Sequence, residues 1–308
     1  MNDKIGQAAS HEARFAKGAF FGLAAVCVWA TWISITRLGV TTSLSVCDLT
    51  MLRFATAGIL LAPVVIRKGW ALDRLGWPRL LVLVSGAGAP YVLVASSGLR
   101  FAPAAHAGAL MPGVMPLFVA LLAALLLKEK FSARRKVGYA LIAVGVFAIV
   151  GATALAVKGD QTEGHLLFLT AAFMWACYAI VLRQSQLDPL HAAALVAAGS
   201  CILYLPYYFA TQGAHAFDAP LRDLAFQAVF QGVVVSILAL FFFGKGITLL
   251  GASAGAAFSA LTPALAALLA IPILGEVPAS KDWFAILAVS AGVFLASGGY
   301  VPRWRRLS

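Results

Sequence analysis

Residues 110–132 read LMPGVMPLFVALLAALLLKEKFS, an apolar run that opens at a proline and ends at Glu129 between two lysines. Residues 257–280 read AFSALTPALAALLAIPILGEVPAS and repeat the arrangement, with a proline before the run and Glu276 after it. Together with the apolar residues before each proline, such a run reaches the roughly 20 residues of a membrane-spanning helix. The recurrence predicts that the chain contains two copies of one membrane unit.

The composition is that of a membrane protein and does not fit a water-soluble domain. Of the 308 residues, 62% are apolar and 11% charged, with a mean hydropathy of +0.91, whereas about a quarter of a soluble domain is charged. The apolar runs are continuous and too long for barrel strands of about ten alternating residues, so they predict helices, and the first is expected to be retained as a helix because nine more follow. Ten spans are predicted, near 17–37, 46–66, 78–98, 103–127, 136–157, 165–183, 190–211, 224–244, 252–274 and 283–301.

The net charge of +11 is distributed as membrane topology would require. With the amino terminus in the cytoplasm, seventeen of the 23 lysines and arginines fall on the cytoplasmic side, five fall outside, and Arg53 lies within a span. This asymmetry follows the positive-inside rule. It predicts a multi-pass protein of a bacterial inner (cytoplasmic) membrane with both termini cytoplasmic. No aromatic platform or folded module accompanies the basic loops, so nucleic acid is not an expected partner.

Aligning Pro116 with Pro263 gives an offset of 147 residues, and the repeat can be tested at that offset. Equivalent residues then share their type over two helices and the loop between them: Gly108 and Gly255, Glu129 and Glu276, Gly145 and Gly292, Phe147 and Phe294, Gly151 and Gly298. At an offset of 146, the first predicted span matches the sixth: Gly18 and Gly164, Trp29 and Trp175, Ala30 and Ala176, Arg37 and Arg183. Two five-helix repeats are therefore predicted, at 1–157 and 158–308.

Five spans per repeat is an odd number, so the second repeat must enter the membrane from the opposite side. The loop with Glu129 is then inside and the loop with Glu276 is outside. Two inverted repeats can exchange conformations and open a central site first to one side and then to the other. The sequence therefore predicts an all-α integral membrane fold of ten transmembrane helices, with two inverted five-helix repeats around a central cavity.

The duplicated proline-to-glutamate helix, with a tryptophan-bearing helix opening each half, resembles the drug/metabolite transporter superfamily. It is more narrowly similar to the EamA-type ten-helix exporters, which include amino-acid exporters. The resemblance covers essentially the whole chain. It implies that the first, third, fourth, sixth, eighth and ninth spans surround the cavity, that the fifth and tenth lie behind it, and that the substrates are small metabolites leaving the cell.

Nine residues are candidates for contact with substrate because they are polar, aromatic or sulfur-containing residues in or near the predicted spans. They are Trp29, Tyr91, His106, Met111, Trp175, Tyr178, Ser236, Lys245 and Ser259. The rings of Trp29, Trp175 and Tyr178 lie in mid-span, away from the interfacial belts. Tyr91 follows the glycines and proline of SGAGAP, which weaken the helix and are tolerated where a cavity meets them, and Met111 could form an adaptable apolar wall. Packing against other helices, and hydroxyls bonded to their own helix, are the alternatives for this set.

Three charged or ionisable residues stand out against the apolar background. His106 can donate, accept or take up a proton near neutral pH, with a structural role as the alternative. Lys245, at the predicted inner end of the eighth span, could bind a carboxylate or snorkel to the headgroups. Arg53 is costly within a span unless it is paired, and Asp48, five residues earlier, is only marginally placed to pair with it; a structural ion pair or snorkelling to the outer interface is the favoured interpretation.

The prolines and glutamates that define the repeat are candidates for conformational roles. Bends at Pro116 and Pro263 could act as hinges, with a static kink as the alternative. Glu129 and Glu276 lie where their helices end, on opposite faces, so they are predicted to close gates or to cap the next helix or pair with neighbouring lysines.

No span has an aspartate or glutamate near its centre, where proton relays generally need one. The leading hypothesis is an exporter of small metabolites, amino acids first, that works by alternating access without a dedicated proton carrier. Efflux of lipophilic drugs is the alternative, and an intramembrane enzyme is remote because G-x-S-x-G and intramembrane H-E-x-x-H motifs are absent. Neither cofactor nor metal is expected, since the four cysteines have no C-x-x-C spacing. The expected partners are a small-molecule substrate and membrane lipid, with a monomer as the working assumption.

Overall fold

A computed structural model describes residues 2–42, 44–155, 159–250 and 258–298. Within these ranges the regular structure is helical throughout. The predicted boundary between repeats at 157 and 158, the start of the ninth predicted span and the end of the tenth lie outside the described residues. The chain is thus an all-α protein with the membrane composition described above.

Thirteen α-helices, a 3₁₀ turn and a π-helix follow one another in the described ranges. They are α1 (Asn2–Thr41), α2 (Val46–Lys68), α3 (Leu72–Ala87), α4 (Ala89–Phe101), α5 (Ala104–Leu110), α6 (Met115–Leu127), α7 (Ala133–Leu155), α8 (Gly159–Ser185), α9 (Pro189–Gln212), the 3₁₀ turn (His215–Asp218), α10 (Leu221–Gln227), the π-helix (Ala228–Leu238), α11 (Ala239–Leu250), α12 (Thr262–Leu274) and α13 (Ser280–Ala296).

Seven helical stretches of the described ranges are long and apolar enough to cross a membrane. They are Arg14–Thr41, Val46–Lys68, Leu72–Phe101, Ala104–Leu127, Gly159–Ser185, Pro189–Gln212 and Leu221–Leu250. The apolar helix α12 has 13 described residues and α13 has 17. A multi-pass membrane fold is therefore observed, while the count of ten spans stays a prediction.

The helices α6 and α12 have matching lengths, prolines and terminal turns. Both have 13 residues, begin 147 positions apart and carry their prolines, Pro116 and Pro263, in the first turn. After each helix comes a residue in the left-handed conformation, Lys128 at φ 55° and Gly275 at φ 70°, as is common where helices end. The backbone N–H of the following glutamate closes the turn, 3.2 Å from a carbonyl in the first copy and 3.3 Å in the second.

Two of the apolar stretches are interrupted along their length. The stretch from Leu72 to Phe101 breaks at Gly88, and that from Ala104 to Leu127 breaks at residues 111–114. At the first break the N–H of Ala89 donates to Ser200 Oγ of α9 at 3.0 Å. Backbone groups freed inside a membrane need such a partner, because lipid offers none.

Contacts between helices of the two predicted halves come in reciprocal sets. Helix α1 packs on α11 and α12, and its counterpart α8 packs on α3, α4 and α6; α2 packs on α9, α5 on α12, and α7 on α13. The last pair is antiparallel, since Arg135 Nε near the start of α7 donates to Ala296 O at the end of α13 at 2.8 Å. Gly145 permits the close approach, because a Cβ there would lie 2.6 Å from Val289 Cγ2 and 2.7 Å from Ala285 O.

We therefore expect Gly145→Ala to lower the free energy of unfolding by about 1–3 kcal/mol, since the added methyl overpacks the contact with α13. In detergent this loss would be measured as a lower melting temperature. Gly151→Ala in the same helix is the matched control, because no atom of the described residues lies within 4 Å of a Cβ at that position. The control should be neutral or slightly stabilising through helix propensity. Equal melting temperatures for both variants would contradict the close contact.

Candidate functional site

A cavity of about 340 Å³ lies between the two halves of the chain. Its walls contain residues from α1, α2, α4 and α6 of the first half, and from α8, the π-helix, α11, α12 and α13 of the second. Beyond the spans that the resemblance implied, α2 contributes Arg53 and α13 contributes Val293. Such concave, mostly apolar sites between helices are where small-molecule ligands bind.

Aromatic rings from both halves line this cavity. They are Trp29, Trp32, Tyr91, Trp175 and Phe243. Trp29 lies 5.0 Å from Phe243, and Tyr91 lies 5.3 Å from Trp175, measured between ring centroids. The predicted residues Trp29, Tyr91 and Trp175 are thus brought together on one surface, each paired with a ring across the boundary between halves.

The break between α5 and α6 forms another part of the wall. Met111, Pro112, Met115 and Pro116 all face the cavity from this segment. From α12 and the residues before it come Ser259 and Thr262. Of the prolines singled out as hinges, Pro116 lines the cavity, while Pro263 is buried, and its carbonyl oxygen lies 3.3 Å from the point that a Cβ on Gly108 would occupy.

A smaller cavity of about 60 Å³ adjoins the first and shares Trp29, Arg53, Trp175 and Val235 with it. The candidates Tyr178 and Ser236 line this smaller space. The Ser236 hydroxyl donates to the carbonyl of Gln231 at 2.8 Å, within the π-helix. This bond to its own helix is the arrangement that the sequence left open as the alternative for Ser236.

The guanidinium of Arg53 sits in the wall shared by both cavities. The interpretation that Arg53 pairs with Asp48 is wrong. The Asp48 carboxylate accepts instead from Tyr208 Oη at 2.6 Å and from the N–H of Ser45 at 2.8 Å, and it lies 3.3 Å from His215 Nδ1. Spacing along α2 could not reveal these partners of Asp48, because Tyr208 and His215 come from the second half of the chain.

Gln231, a buried amide in the π-helix, was not among the residues predicted from the sequence. Its Oε1 accepts from Trp32 Nε1 at 2.8 Å, and its Nε2 donates to Thr36 Oγ1 at 3.1 Å. These bonds fix the orientation of the Trp32 ring and join the two halves. Only the presence of two glutamines, Gln227 and Gln231, among the apolar residues of the eighth predicted span could have drawn attention to it.

The structure places His106 and Lys245 away from both cavities. Buried His106 lies with Nδ1 2.9 Å from His165 Nε2 and with Nε2 3.4 Å from Asp282 Oδ1, so protein groups occupy both of its ring nitrogens. Lys245 is exposed within α11, which continues to Leu250, and its Nζ lies 5.7 Å from the Phe241 ring. Neither side chain is positioned to contact a ligand in the described cavities.

Glu129 and Glu276 each form an ion pair with the opposite half of the chain. Glu129 pairs with Arg183 at the end of α8, and Glu276 pairs with Arg37 near the end of α1. The two arginines are equivalent at the offset of 146, as the two glutamates are at 147. The expectation that these carboxylates cap the next helix or pair with neighbouring lysines is therefore replaced by a reciprocal pair of ion pairs between halves.

The two pairs differ in how enclosed they are. The side chains of Arg37 and Glu276 are 18% and 24% exposed, against 57% and 28% for Arg183 and Glu129. Arg37 also donates to the carbonyl oxygens of Leu99 and Ala102, and Glu276 accepts from the N–H of Ala104 at 2.9 Å. The network around Glu276 therefore holds the ends of α1, α4, α5 and α12 together.

An all-helical membrane fold with a cavity between two similar halves is typical of secondary transporters, and comparison with known proteins agrees. The EamA-like transporter family matches residues 16–151 and again residues 162–298. The chain belongs to this family, as the resemblance in its sequence had indicated.

Individual relatives are distant. A probable terminal-alkyne amino-acid exporter of Streptantibioticus cattleyicolor is 26% identical over 92% of this chain and 94% of its own length. The uncharacterized transporter YyaM of Bacillus subtilis is 25% identical over 65% of this chain and 67% of its own length. A solved crystal structure, 18% identical, aligns with 91% of this chain and 95% of its own at a TM-score of 0.58, which supports the fold alone.

Proposed function

We propose that this protein exports small metabolites, with amino acids as the leading substrate class. The observation that carries the proposal is the cavity of about 340 Å³ whose walls come from both family repeats. A relative similar over 94% of its length is named as a probable amino-acid exporter, which favours that class. The cavity combines apolar area with a few polar groups, as sites for small organic ligands do.

The mechanism proposed is alternating access between two inverted five-helix repeats, 1–157 and 158–308, in a ten-span fold. The reciprocal helix contacts and the matching helices α6 and α12 support a two-fold relation between halves. Inversion is supported by the two ion pairs. The carboxyl end of α1 meets Glu276 through Arg37, and the carboxyl end of its counterpart α8 meets Glu129 through Arg183, so each repeat's first helix ends beside the glutamate of the other repeat. We also propose that the protein lies in the bacterial cytoplasmic membrane with both termini inside, and the distribution of its positive charges supports this orientation.

Cysteines introduced at Lys130 and at Val277, directly after the two glutamates, test the inversion. Both positions are exposed. With the four native cysteines replaced by alanine, a membrane-impermeant thiol reagent should label the cysteine at 277 from outside intact cells and the one at 130 only in inside-out vesicles. Labelling of both from the same face would contradict inverted repeats.

The two ion pairs are proposed as gates. Closing Arg37 against Glu276 would seal the outer end of the cavity, and closing Arg183 against Glu129 would seal the inner end. Pro116 and Pro263, each in the first turn after a break or turn, are proposed as the hinges about which α6 and α12 move. A charge pair that exists in one state and opens in the other biases the equilibrium between them.

Glu276→Gln should open the outer gate, because an amide cannot neutralise the enclosed Arg37. A cysteine at the cavity position Met111, in the cysteine-free background, should then react from outside about tenfold faster. Glu129→Gln should speed its reaction from inside by no more than about fivefold, since that pair is more exposed. Asp73→Asn is the control, because Asp73 pairs with Arg74 only at the surface, at 3.9 Å. Unchanged labelling from both sides would contradict the gates.

Transport itself is tested by efflux of radiolabelled amino acids from proteoliposomes. Trp175→Ala, which removes a ring that lines both cavities, should lower the flux about tenfold, the equivalent of 1.4 kcal/mol. Trp77→Ala is the matched control, since Trp77 is 66% exposed on α3. We expect an imposed pH gradient to leave the flux unchanged. Flux that follows the gradient and collapses with a protonophore would contradict transport without proton coupling.

Efflux of lipophilic compounds is the second candidate, and the aromatic and methionine side chains of the cavity favour it. Such walls adapt to ligands of different shape. Efflux of a lipophilic dye that excess amino acid does not inhibit would decide for this candidate.

A further inference from the structure

One charged side chain lines the cavities in the described part of the chain, and it is positive. Arg53 borders both the larger and the smaller cavity, whereas the lining contains neither aspartate nor glutamate. The remaining walls are aromatic, aliphatic, sulfur-containing or hydroxyl-bearing. A ligand in this space therefore meets a single fixed positive charge in an otherwise neutral surface.

Within the described ranges, Arg53 has no anionic protein partner. Its Nε is buried without a hydrogen bond, and none of the ion pairs there involves it. The nearest carboxylate along α2, that of Asp48, is occupied by Tyr208 and Ser45. A guanidinium has five N–H donors, and an unpaired charge within a membrane is unfavourable unless a ligand or water satisfies it.

The guanidinium is nonetheless held in place. Its Cζ lies 5.6 Å from the ring centroids of both Trp32 and Phe54. Trp32 is in turn fixed by its hydrogen bond to Gln231 across the boundary between halves. Cation–π contact stabilises the charge without using up its N–H donors. Arg53 is thus oriented in advance, with hydrogen-bonding capacity left for something in the cavity.

We propose that Arg53 binds the carboxylate of the transported molecule, and that the substrates are small monocarboxylates with an apolar or aromatic body. This inference rests on the proposed transport function and names its substrate class. One guanidinium can pair with one carboxylate through two parallel hydrogen bonds and neutralise it, whereas a doubly charged phosphate would keep an uncompensated charge. The rings of Trp29, Tyr91 and Trp175 would pack against the body, and their faces could also hold the ammonium of an amino acid.

Three radiolabelled probes that share a phenyl ring separate these contributions in proteoliposomes. L-Phenylalanine and 3-phenylpropanoate have a carboxylate, whereas phenethylamine has only the ammonium group. We expect the first two to be transported and to raise the melting temperature of the protein, and the third to do neither. Transport of phenethylamine at a rate similar to theirs would overturn the carboxylate assignment and leave transport standing. Transport of none of the three would overturn the assignment and count against the proposed function as well.

Replacement of Arg53 then tests the residue. Arg53→Gln should lower the flux of 3-phenylpropanoate by at least about tenfold, as loss of a hydrogen-bonded charge does. Its melting temperature should not fall, because removing a buried charge that has no anionic partner offsets the loss of the cation–π contacts with Trp32 and Phe54. Arg53→Lys keeps the charge but lacks the planar fork, so an intermediate loss is expected.

Arg100→Gln is the matched control, since Arg100 is exposed and lies 5.9 Å from the Phe101 ring, outside both cavities. Unchanged carboxylate flux in Arg53→Gln would overturn the proposal. Two results together would also overturn the proposal. If Arg53→Gln lowered the melting temperature of the protein, and 3-phenylpropanoate still raised that of Arg53→Lys by the full amount, Arg53 would have a structural role.

Discussion

Lipid offers no hydrogen bonds, and this constraint governs where the helices of the protein can be interrupted. The break at Gly88 is satisfied by Ser200 from α9, and the break between α5 and α6 faces the cavity. The π-helix turns Gln231 towards Trp32. Irregular backbone in a membrane is tolerated where it is buried in protein or lines a cavity. The interruptions therefore coincide with the elements that surround the candidate substrate site.

The membrane also has a low dielectric constant, so a charged side chain within the fold needs a partner or a functional reason to be there. Arg37 and Glu276 satisfy one another across the two halves, with backbone groups of α4 and α5 completing the network. Arg53 differs, because its guanidinium contacts aromatic rings and borders the cavity. In the proposed mechanism the first kind of charge controls which side of the cavity is closed, and the second selects what enters it. Both roles depend on contacts between halves that lie far apart in the chain.

Much of the fold could be predicted from local pattern. The apolar runs identified the helices, because a spanning helix must be apolar over its own length. The repeat identified α6 and α12 as equivalent. Both helices have a proline in their first turn and are followed by a residue in the left-handed conformation. Trp29, Tyr91, Met111 and Trp175 were predicted near the substrate and line the cavity. Mid-span position could suggest the two tryptophans, since large rings away from the interfaces need a special reason to be there, whereas Tyr91 was suggested by the helix break before it and Met111 by its adaptable side chain.

The sequence by itself determined the membrane class, the helices and the repeated unit, because hydropathy and periodicity are properties of a single segment. Only the tertiary structure decided which charges meet. Along α2, Asp48 was a marginally placed candidate partner for Arg53, whereas the fold supplies Asp48 with Tyr208, 160 residues further along the chain. It likewise joined Glu276 to Arg37 over a separation of 239 residues. The pairing of side chains depends on how helices pack, and no single segment contains that information.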